Sequence, residues 1–159
     1  MASSSLSLLV LNGPNLNLLG TREPGVYGHA TLADVEALCQ SRAQALGAAV
    51  TCRQSNHEGQ LVDWIHEARG QHQGLIVNAG AYTHTSIALA DAIRGVGLPV
   101  IEVHLSNVHA REAYRQVSYI APIALGVIAG FGPAGYGLAI EALVGHLWAG
   151  DGEVFVPAD

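Results

Sequence analysis

The chain has 159 residues, of which 50% are hydrophobic and 13% are charged, and its formal net charge at pH 7 is −6. These values suit one domain with a sizeable core, and without a basic cluster a nucleic-acid partner is not expected. All seven basic residues are arginines, which excludes Schiff-base catalysis by a lysine and phosphate binding by a P-loop lysine.

We expect a single catalytic domain over residues 1–159, with a core at 6–148 and a loosely held tail at 149–159. The low charge leaves little to solvate a monomer's surface, which favours an oligomer. No basic region followed by an apolar run opens the sequence, so we expect no signal peptide and a cytoplasmic protein. Residues 116–140 lack Asp, Glu, Lys and Arg, but prolines and glycines interrupt them, so no membrane span is expected.

Short apolar runs alternate with helical periodicity along the chain. The runs predict five strands, at 7–12, 48–53, 74–78, 99–104 and 126–129. Helices are predicted at 31–46, 59–69, 86–94 and 135–147, with a short one at about 110–116, and Thr31 and Asp34 have capping-box spacing for the first. Five βα units with nearly continuous apolar strands predict an α/β fold. The expected form is a flavodoxin-like three-layer sandwich with a five-stranded parallel sheet in the order 2-1-3-4-5.

The connection after the first strand, Leu11–Gly28, is far longer than the roughly 4–6 residues that are usual, and long loops are often active-site lids. It carries Arg22 and Tyr27 between glycines and prolines. An unperturbed phenol titrates near ~10, and a nearby arginine lowers that value. The segment alone leaves two interpretations open: a phenolate base on a movable loop, or a surface loop with an incidental Arg and Tyr.

Polar residues follow every predicted strand. They lie at Asn12 and Asn15, at 54–58, at 78–86, at 102–107, and in a glycine-rich turn at 130–133. In doubly wound sheets, ligands bind outside the carboxyl ends of the strands. The sequence therefore predicts a binding site at this edge of the sheet.

Glu102 and His104 are two residues apart on the fourth strand, so they share a face. A glutamate beside a histidine fixes its orientation and favours its protonated form, which suits a general acid; a purely structural buried pair is the alternative. Leu105, Ser106 and Asn107 precede the short helix and could bind a carboxylate, or be ordinary caps. Arg115 is either a second cation near Tyr27 or a solvated helix residue.

Eight histidines raise the question of a metal site, but they fall on different elements. The chain has no His-Glu-x-x-His motif, and Cys39 and Cys52 are best explained as reduced core residues. We therefore expect no metal.

Six short segments, in order and with matching spacing, resemble type II 3-dehydroquinate dehydratases over about residues 7–148. They are Gly13–Asn15 with Leu19–Pro24, Gln54–Asn56, Asn78–Gly80 with Thr83–Ser86, and Ile101–Glu112. The resemblance implies a flavodoxin-like subunit in a homododecamer, a tetramer of trimers. It also implies a cofactor-free anti elimination that converts 3-dehydroquinate to 3-dehydroshikimate through an enolate, in the shikimate pathway or in quinate catabolism.

The resemblance also implies roles for individual residues. Tyr27, a phenolate beside Arg22, would remove the C2 proton; Asn15 would position a water at the enolate; His104, oriented by Glu102, would protonate the departing hydroxyl. Asn78, His84 and Arg115 would bind substrate hydroxyls, Leu105 and Ser106 its carboxylate, and Asp91 would reach a neighbouring subunit's site. The one departure noted is Ala79–Tyr82, where other members have Gly-Leu.

Three other classes compete on fold alone. A flavin-binding electron carrier needs a Ser/Thr/Gly-rich phosphate loop after the first strand, and Asn12–Asn15 is not one. A receiver domain needs acidic residues after strands one and three, where this chain has asparagines. A quinate-type ligand-binding protein that has lost catalysis is disfavoured by the presence of Arg22, Tyr27 and His104 together.

Overall fold

A computed structural model describes residues 6–21 and 23–150, and of Val26 and Tyr27 only the backbone. The strands are β1 (Leu6–Asn12), β2 (Ala48–Gln54), β3 (Gly74–Asn78), β4 (Val100–His104) and β5 (Gly126–Ala129). The α-helices are α1 (Pro24–Tyr27), α2 (Leu32–Ala45), α3 (Glu58–Ala68), α4 (Ile87–Val96) and α5 (Ala134–Ala149). Short 3₁₀ turns lie at Leu16–Leu18, Gly80–His84, Val108–Ala110, Ala113–Arg115 and Ala121–Ile123.

The five strands form one parallel sheet in the order β2-β1-β3-β4-β5, which confirms the predicted α/β fold and topology. Successive side chains of each strand point to opposite faces of the sheet. Leu8 and Val10 of β1 therefore pack against α2 and α5, whereas Leu9 and Leu11 pack against α3 and α4. Each such side chain contributes about 1.5–3 kcal/mol when fully buried.

The start of α2 is fixed by the predicted capping box. The Thr31 hydroxyl accepts a hydrogen bond from the backbone N–H of Asp34 at 3.2 Å, and the Asp34 carboxylate accepts one from the Thr31 N–H at 2.9 Å. The hydrogen bonds from the backbone and side chain of Thr31 lower the pKa of Asp34. Two orphan N–H groups of the first turn are thereby satisfied.

The prediction of one short helix at about 110–116 was wrong. The chain there forms two single 3₁₀ turns, Val108–Ala110 and Ala113–Arg115. Arg111 between them is extended, with φ −110° and ψ −164°, and neither turn has a buried residue. Without an apolar face to pack, this segment gains nothing from continuing as an α-helix.

Two loops approach each other closely where β1 and β3 end. A Cβ at Gly13 would lie 2.4 Å from the Ala79 carbonyl oxygen, closer than any side chain tolerates. The Gly13 N–H donates to the Asn78 carbonyl at 2.8 Å, which holds the loops together. Glycine at position 13 therefore brings the long loop after β1 next to the turn after β3.

We predict that Gly13→Ala lowers the free energy of unfolding by about 1–3 kcal/mol, because the clash is with backbone. Gly59→Ala is the matched control: no atom lies within 4 Å of its Cβ position, so the change should be neutral or stabilising by up to about 1 kcal/mol. Urea unfolding measures both. Equal stability of the two variants would contradict the close approach.

Candidate active site

A cavity opens at the carboxyl edge of the sheet, where the sequence predicted a site. Its lining comes from the ends of β1, β3 and β4 and the loops that follow them. The lining residues are Pro14, Asn15, Leu16, Asn78, Gly80, Ala81, His84, His104, Leu105, Ser106, Val108, Arg111 and Arg115. Seven of the predicted site residues are thus in one place: Asn15, Asn78, His84, His104, Leu105, Ser106 and Arg115.

Asn15 presents an exposed side chain at the mouth of this cavity and has a left-handed backbone, with φ 67° and ψ −3°. Asparagine tolerates this region better than most residues. The Asn15 N–H donates to the Asn56 side-chain oxygen at 3.0 Å, and the Gln54 amide donates to the same oxygen at 3.1 Å. The Tyr82 hydroxyl donates to the Asn56 carbonyl at 2.7 Å. The end of β2 therefore holds the start of the long loop.

His104 and Glu102 form a buried hydrogen-bonded pair on β4. His104 Nε2 lies 2.8 Å from Glu102 Oε1, and the residues are 6% and 0% exposed. With the carboxylate ionised, Nε2 carries a hydrogen and donates, which fixes the ring orientation. Nδ1 is then the nitrogen that can exchange a proton with a ligand in the cavity.

Two hydroxyls complete the surroundings of the Glu102 carboxylate. Ser118 donates to Oε1 at 2.7 Å and Thr83 donates to the same oxygen, while Oε2 has no hydrogen-bond partner among the described residues. Burial alone would raise the pKa of Glu102, but the hydrogen bonds from His104, Ser118 and Thr83 outweigh it and hold that pKa below its usual value. The carboxylate is consequently ionised at neutral pH.

His84 stacks on His104, with ring centroids 6.4 Å apart and planes at 14°. His84 Nδ1 lies 2.7 Å from the Val117 carbonyl oxygen, which can only accept, so Nδ1 carries the hydrogen and Nε2 is the nitrogen left for other contacts. The Tyr119 N–H donates to the Thr83 carbonyl at 2.9 Å. The segment after β4 is therefore tied to the turn after β3.

Two arginines supply positive charge to the cavity. Arg115 donates to the Glu112 carboxylate at 2.8 Å and lies over the Tyr114 ring, 5.3 Å from its centroid. Arg111 reaches the Ser106 hydroxyl at 3.5 Å and Glu112 at 3.7 Å. A cavity with two guanidinium groups attracts an anionic ligand.

A second polar network lies on the opposite face of the sheet. The Tyr136 hydroxyl of α5 donates to Asn12 Oδ1 at 2.6 Å and accepts from Asn78 Nδ2 at 2.8 Å. All three residues are buried: Tyr136 and Asn12 are 0% exposed, and Asn78 is 3% exposed. Asn78 therefore connects this network to the cavity that it lines.

Two further predicted residues, Glu102 and Asp91, do not line the cavity. Glu102 lies behind His104, and Asp91 is exposed on α4. Arg22 lies outside the described residues, and for Tyr27 only the backbone, at the end of α1, is described.

Sequence reasoning gave no role to five residues that the structure places in or behind the site. They are Asn12, Thr83, Arg111, Ser118 and Tyr136. Arg111 and Thr83 stand inside recognised motifs, which was a usable signal. Ser118 and Tyr136 lie in apolar surroundings far along the chain, and nothing in the sequence connects them to the site.

A larger cavity than the one beside His104 lies elsewhere in the molecule. A cavity of about 460 Å³ lies at the amino end of β4, between the ends of α4 and α5. The cavity beside His104 measures about 60 Å³ but holds the convergent polar groups. Within residues 6–21 and 23–150, no three His, Cys, Asp or Glu side chains are arranged to hold a metal ion, and no helix is long and apolar enough to cross a membrane.

Comparison with known proteins gives one consistent answer. Residues 6–144 match the dehydroquinase class II family. The chain is 67% identical over 143 residues to the 3-dehydroquinate dehydratase 2 of Ralstonia nicotianae, covering 87% of this chain and 93% of that protein. It is 65% identical over 141 residues to the 3-dehydroquinate dehydratase of Ruegeria pomeroyi, covering 89% and 95%. The crystal structure of type II dehydroquinase from Propionibacterium acnes superposes with a TM-score of 0.85 at 41% identity, covering 90% and 99%.

We predict that Ser118→Ala lowers the free energy of unfolding, and that this loss becomes smaller as the pH falls. The folded pKa of Glu102 lies below its unfolded value near ~4.3, so the stability that this gives is complete above that pH and is lost as pH falls through the folded pKa. Removing one donor should cost about 1.5–3 kcal/mol near neutral pH, and less at acid pH.

Urea unfolding between pH ~6 and ~3 measures this difference, across the range in which Glu102 titrates. Ser41→Ala, an exposed position on α2, is the matched control and should follow the unmodified chain at every pH. An offset for Ser118→Ala that does not change with pH would contradict the stated role.

Proposed function

The chain belongs to the dehydroquinase class II family, and on this premise we propose how its residues carry out that family's reaction. The reaction is the dehydration of 3-dehydroquinate to 3-dehydroshikimate in the shikimate pathway, and the chain is accordingly a hydro-lyase. The observation that carries the proposal is the buried Glu102–His104 pair beside a cavity lined by Asn15, Asn78 and two arginines.

His104 is the general acid. The carboxylate of Glu102 holds Nε2, so a proton on Nδ1 can pass to the hydroxyl that leaves C1 of the substrate. Hydrogen bonds from His104, Ser118 and Thr83 keep Glu102 ionised, and its carboxylate at Nε2 leaves Nδ1 as the nitrogen that transfers the proton. In the dehydration direction His104 ends the step neutral and regains its proton afterwards.

Tyr27 is the general base and Arg22 the cation that keeps it a phenolate. Neither a lysine nor Glu102 can take this role, because no lysine is present and the Glu102 carboxylate is buried behind His104. The Tyr27 oxygen takes the C2 proton, and the C2–H electron pair forms an enolate with the C3 carbonyl. The enolate then collapses, the C1=C2 double bond forms, and the C1–O bond breaks as His104 protonates the leaving oxygen.

Other lining residues hold the substrate. Asn15 positions a water that stabilises the enolate oxygen, and its exposed side chain at the cavity mouth supports that role. Asn78, His84 and Arg115 bind the ring hydroxyls, while Leu105 and Ser106 bind the carboxylate. The charge of Arg111 beside Ser106 favours an anionic group at that end. No cofactor takes part in this scheme.

The assembly is a homododecamer, a tetramer of trimers, in which Asp91 of a neighbouring copy completes each site. Exposed apolar side chains support an assembly of copies: Leu125, just before the edge strand β5, is 51% exposed, Val127 on it is 45% exposed, and Phe131 after it is 66% exposed. A soluble chain seldom exposes such a continuous apolar edge unless a partner covers it. We place the protein in the cytoplasm.

The activity is tested with purified protein and 3-dehydroquinate, because the product is a conjugated enone that absorbs in the ultraviolet. We expect rapid formation of the enone. A protein that binds 3-dehydroquinate but forms no enone at high enzyme concentration would be a ligand-binding protein, and the proposal would be wrong. Sodium borohydride added with substrate should leave activity intact, since no lysine can form an imine.

Variants in the same assay test the roles of the base and the acid. Tyr27→Phe, Arg22→Ala and His104→Ala should each lower kcat by about a hundredfold or more. Tyr119→Phe and Arg69→Ala, at exposed positions, are matched controls and should stay near the unmodified rate. Near-normal turnover of Tyr27→Phe or Arg22→Ala would remove the phenolate from the mechanism.

Sedimentation velocity tests the assembly, and we expect a particle of twelve chains. Val127→Glu places a charge on the apolar edge of β5 and should shift the protein to smaller species, because a buried unpaired charge is costly. Gln40→Glu, an exposed position on α2, is the charge-matched control and should not change the mass. An unmodified protein that sediments as a single chain would overturn the proposed assembly.

A further inference from the structure

Tyr136 is a fully buried tyrosine whose hydroxyl lies between two asparagines at the carboxyl ends of neighbouring strands. Asn12 ends β1 and Asn78 ends β3, and the two residues are paired in the sheet. The Tyr136 oxygen is 2.6 Å from Asn12 Oδ1 and 2.8 Å from Asn78 Nδ2. Of these three residues, only Asn78 lines the cavity.

The direction of these hydrogen bonds is fixed by the backbone. The Gly80 N–H, which can only donate, lies 3.2 Å from Asn78 Oδ1, so the Asn78 amide nitrogen must face Tyr136. That nitrogen donates to the tyrosine oxygen, and the single hydroxyl hydrogen of Tyr136 then goes to Asn12 Oδ1. Burial raises the pKa of Tyr136 above its usual value, so the hydroxyl keeps this hydrogen at working pH.

Asn12 contributes little to this network beyond its bond to Tyr136. Its Nδ2 is buried and has no hydrogen-bond partner among the described residues. Burying an unmatched amide costs stability, so this half of the Asn12 side chain contributes nothing favourable to the fold. What the asparagine oxygen does supply is an acceptor that turns the Tyr136 hydroxyl hydrogen away from Asn78.

We propose that Tyr136 is a positioning residue for the reaction: held by Asn12, its hydroxyl fixes the Asn78 carboxamide so that one Nδ2 hydrogen is directed by the protein and the other serves the substrate. This inference rests on the proposed function, in which Asn78 binds a substrate hydroxyl. Without the tyrosine oxygen, Asn78 keeps only the bond from Gly80, and its amide group samples other orientations. Tyr136 itself touches neither substrate nor reacting atoms.

The test is a double-mutant cycle between Tyr136→Phe and Asn78→Ala, read as kcat/KM in the enone assay. We expect Tyr136→Phe to lower kcat/KM by about tenfold, the value of one hydrogen bond, in the unmodified background. In the Asn78→Ala background the same change should have less than about a twofold effect, because the group that it positions is gone. Tyr119→Phe is the matched control and should be silent in both backgrounds.

A second variant removes the acceptor and leaves the tyrosine in place. Leucine has nearly the same shape as asparagine, and Asn12 does not line the cavity. We expect Asn12→Leu to lower kcat/KM by a similar factor. In the Asn78→Ala background, Asn12→Leu should have little further effect. Thermal unfolding checks that each protein is folded. If Tyr136→Phe does not fold, the cycle between Asn12→Leu and Asn78→Ala decides the question.

The outcomes separate the inference from the proposed function. If Asn78→Ala alone has normal kcat/KM, the proposed substrate role of Asn78 is wrong and this inference fails with it. If Asn78→Ala is impaired but Tyr136→Phe has the same effect in both backgrounds, only the inference is overturned. A strongly background-dependent effect supports it.

Discussion

The site depends on one interaction, the hydrogen bonding of a carboxylate buried in the central sheet. Glu102 is fully buried on β4, where an unpaired charge would be prohibitive. His104, Ser118 and Thr83 donate to it, from β4, from the loop after β4 and from the turn after β3. Because removing one hydrogen-bond donor from such a group costs about 1.5–3 kcal/mol, the carboxylate holds these segments together and also holds the histidine ring.

A parallel sheet gives the site two independent supports. Side chains alternate between the two faces, so Glu102 and His104 belong to the α3–α4 side and Asn12 and Asn78 to the α2–α5 side. Both sets reach the cavity because every strand ends at the same edge. The His104 side chain is thus held from the α3–α4 side of the sheet, and the Asn78 carboxamide is held from the α2–α5 side.

Much of this architecture could be predicted from local patterns. The apolar runs gave the strands and their order, and the capping box at Thr31 gave the start of α2. The spacing of Glu102 and His104 predicted that they share a face, and the structure joins them by a hydrogen bond. The predicted helix at about 110–116 does not form because the segment has no apolar face to bury.

The sequence by itself determined the family through the resemblance of its ordered motifs. It also determined the sheet and the polar character of the site, because periodicity and strand-end polarity are local properties. Only the tertiary structure decided which distant side chains support the reacting groups. Ser118 reaches Glu102 across 16 positions, and Tyr136 reaches Asn12 across 124. No local pattern records such contacts, since they exist only once helices and loops have packed on the sheet and burial has made each polar atom require a partner.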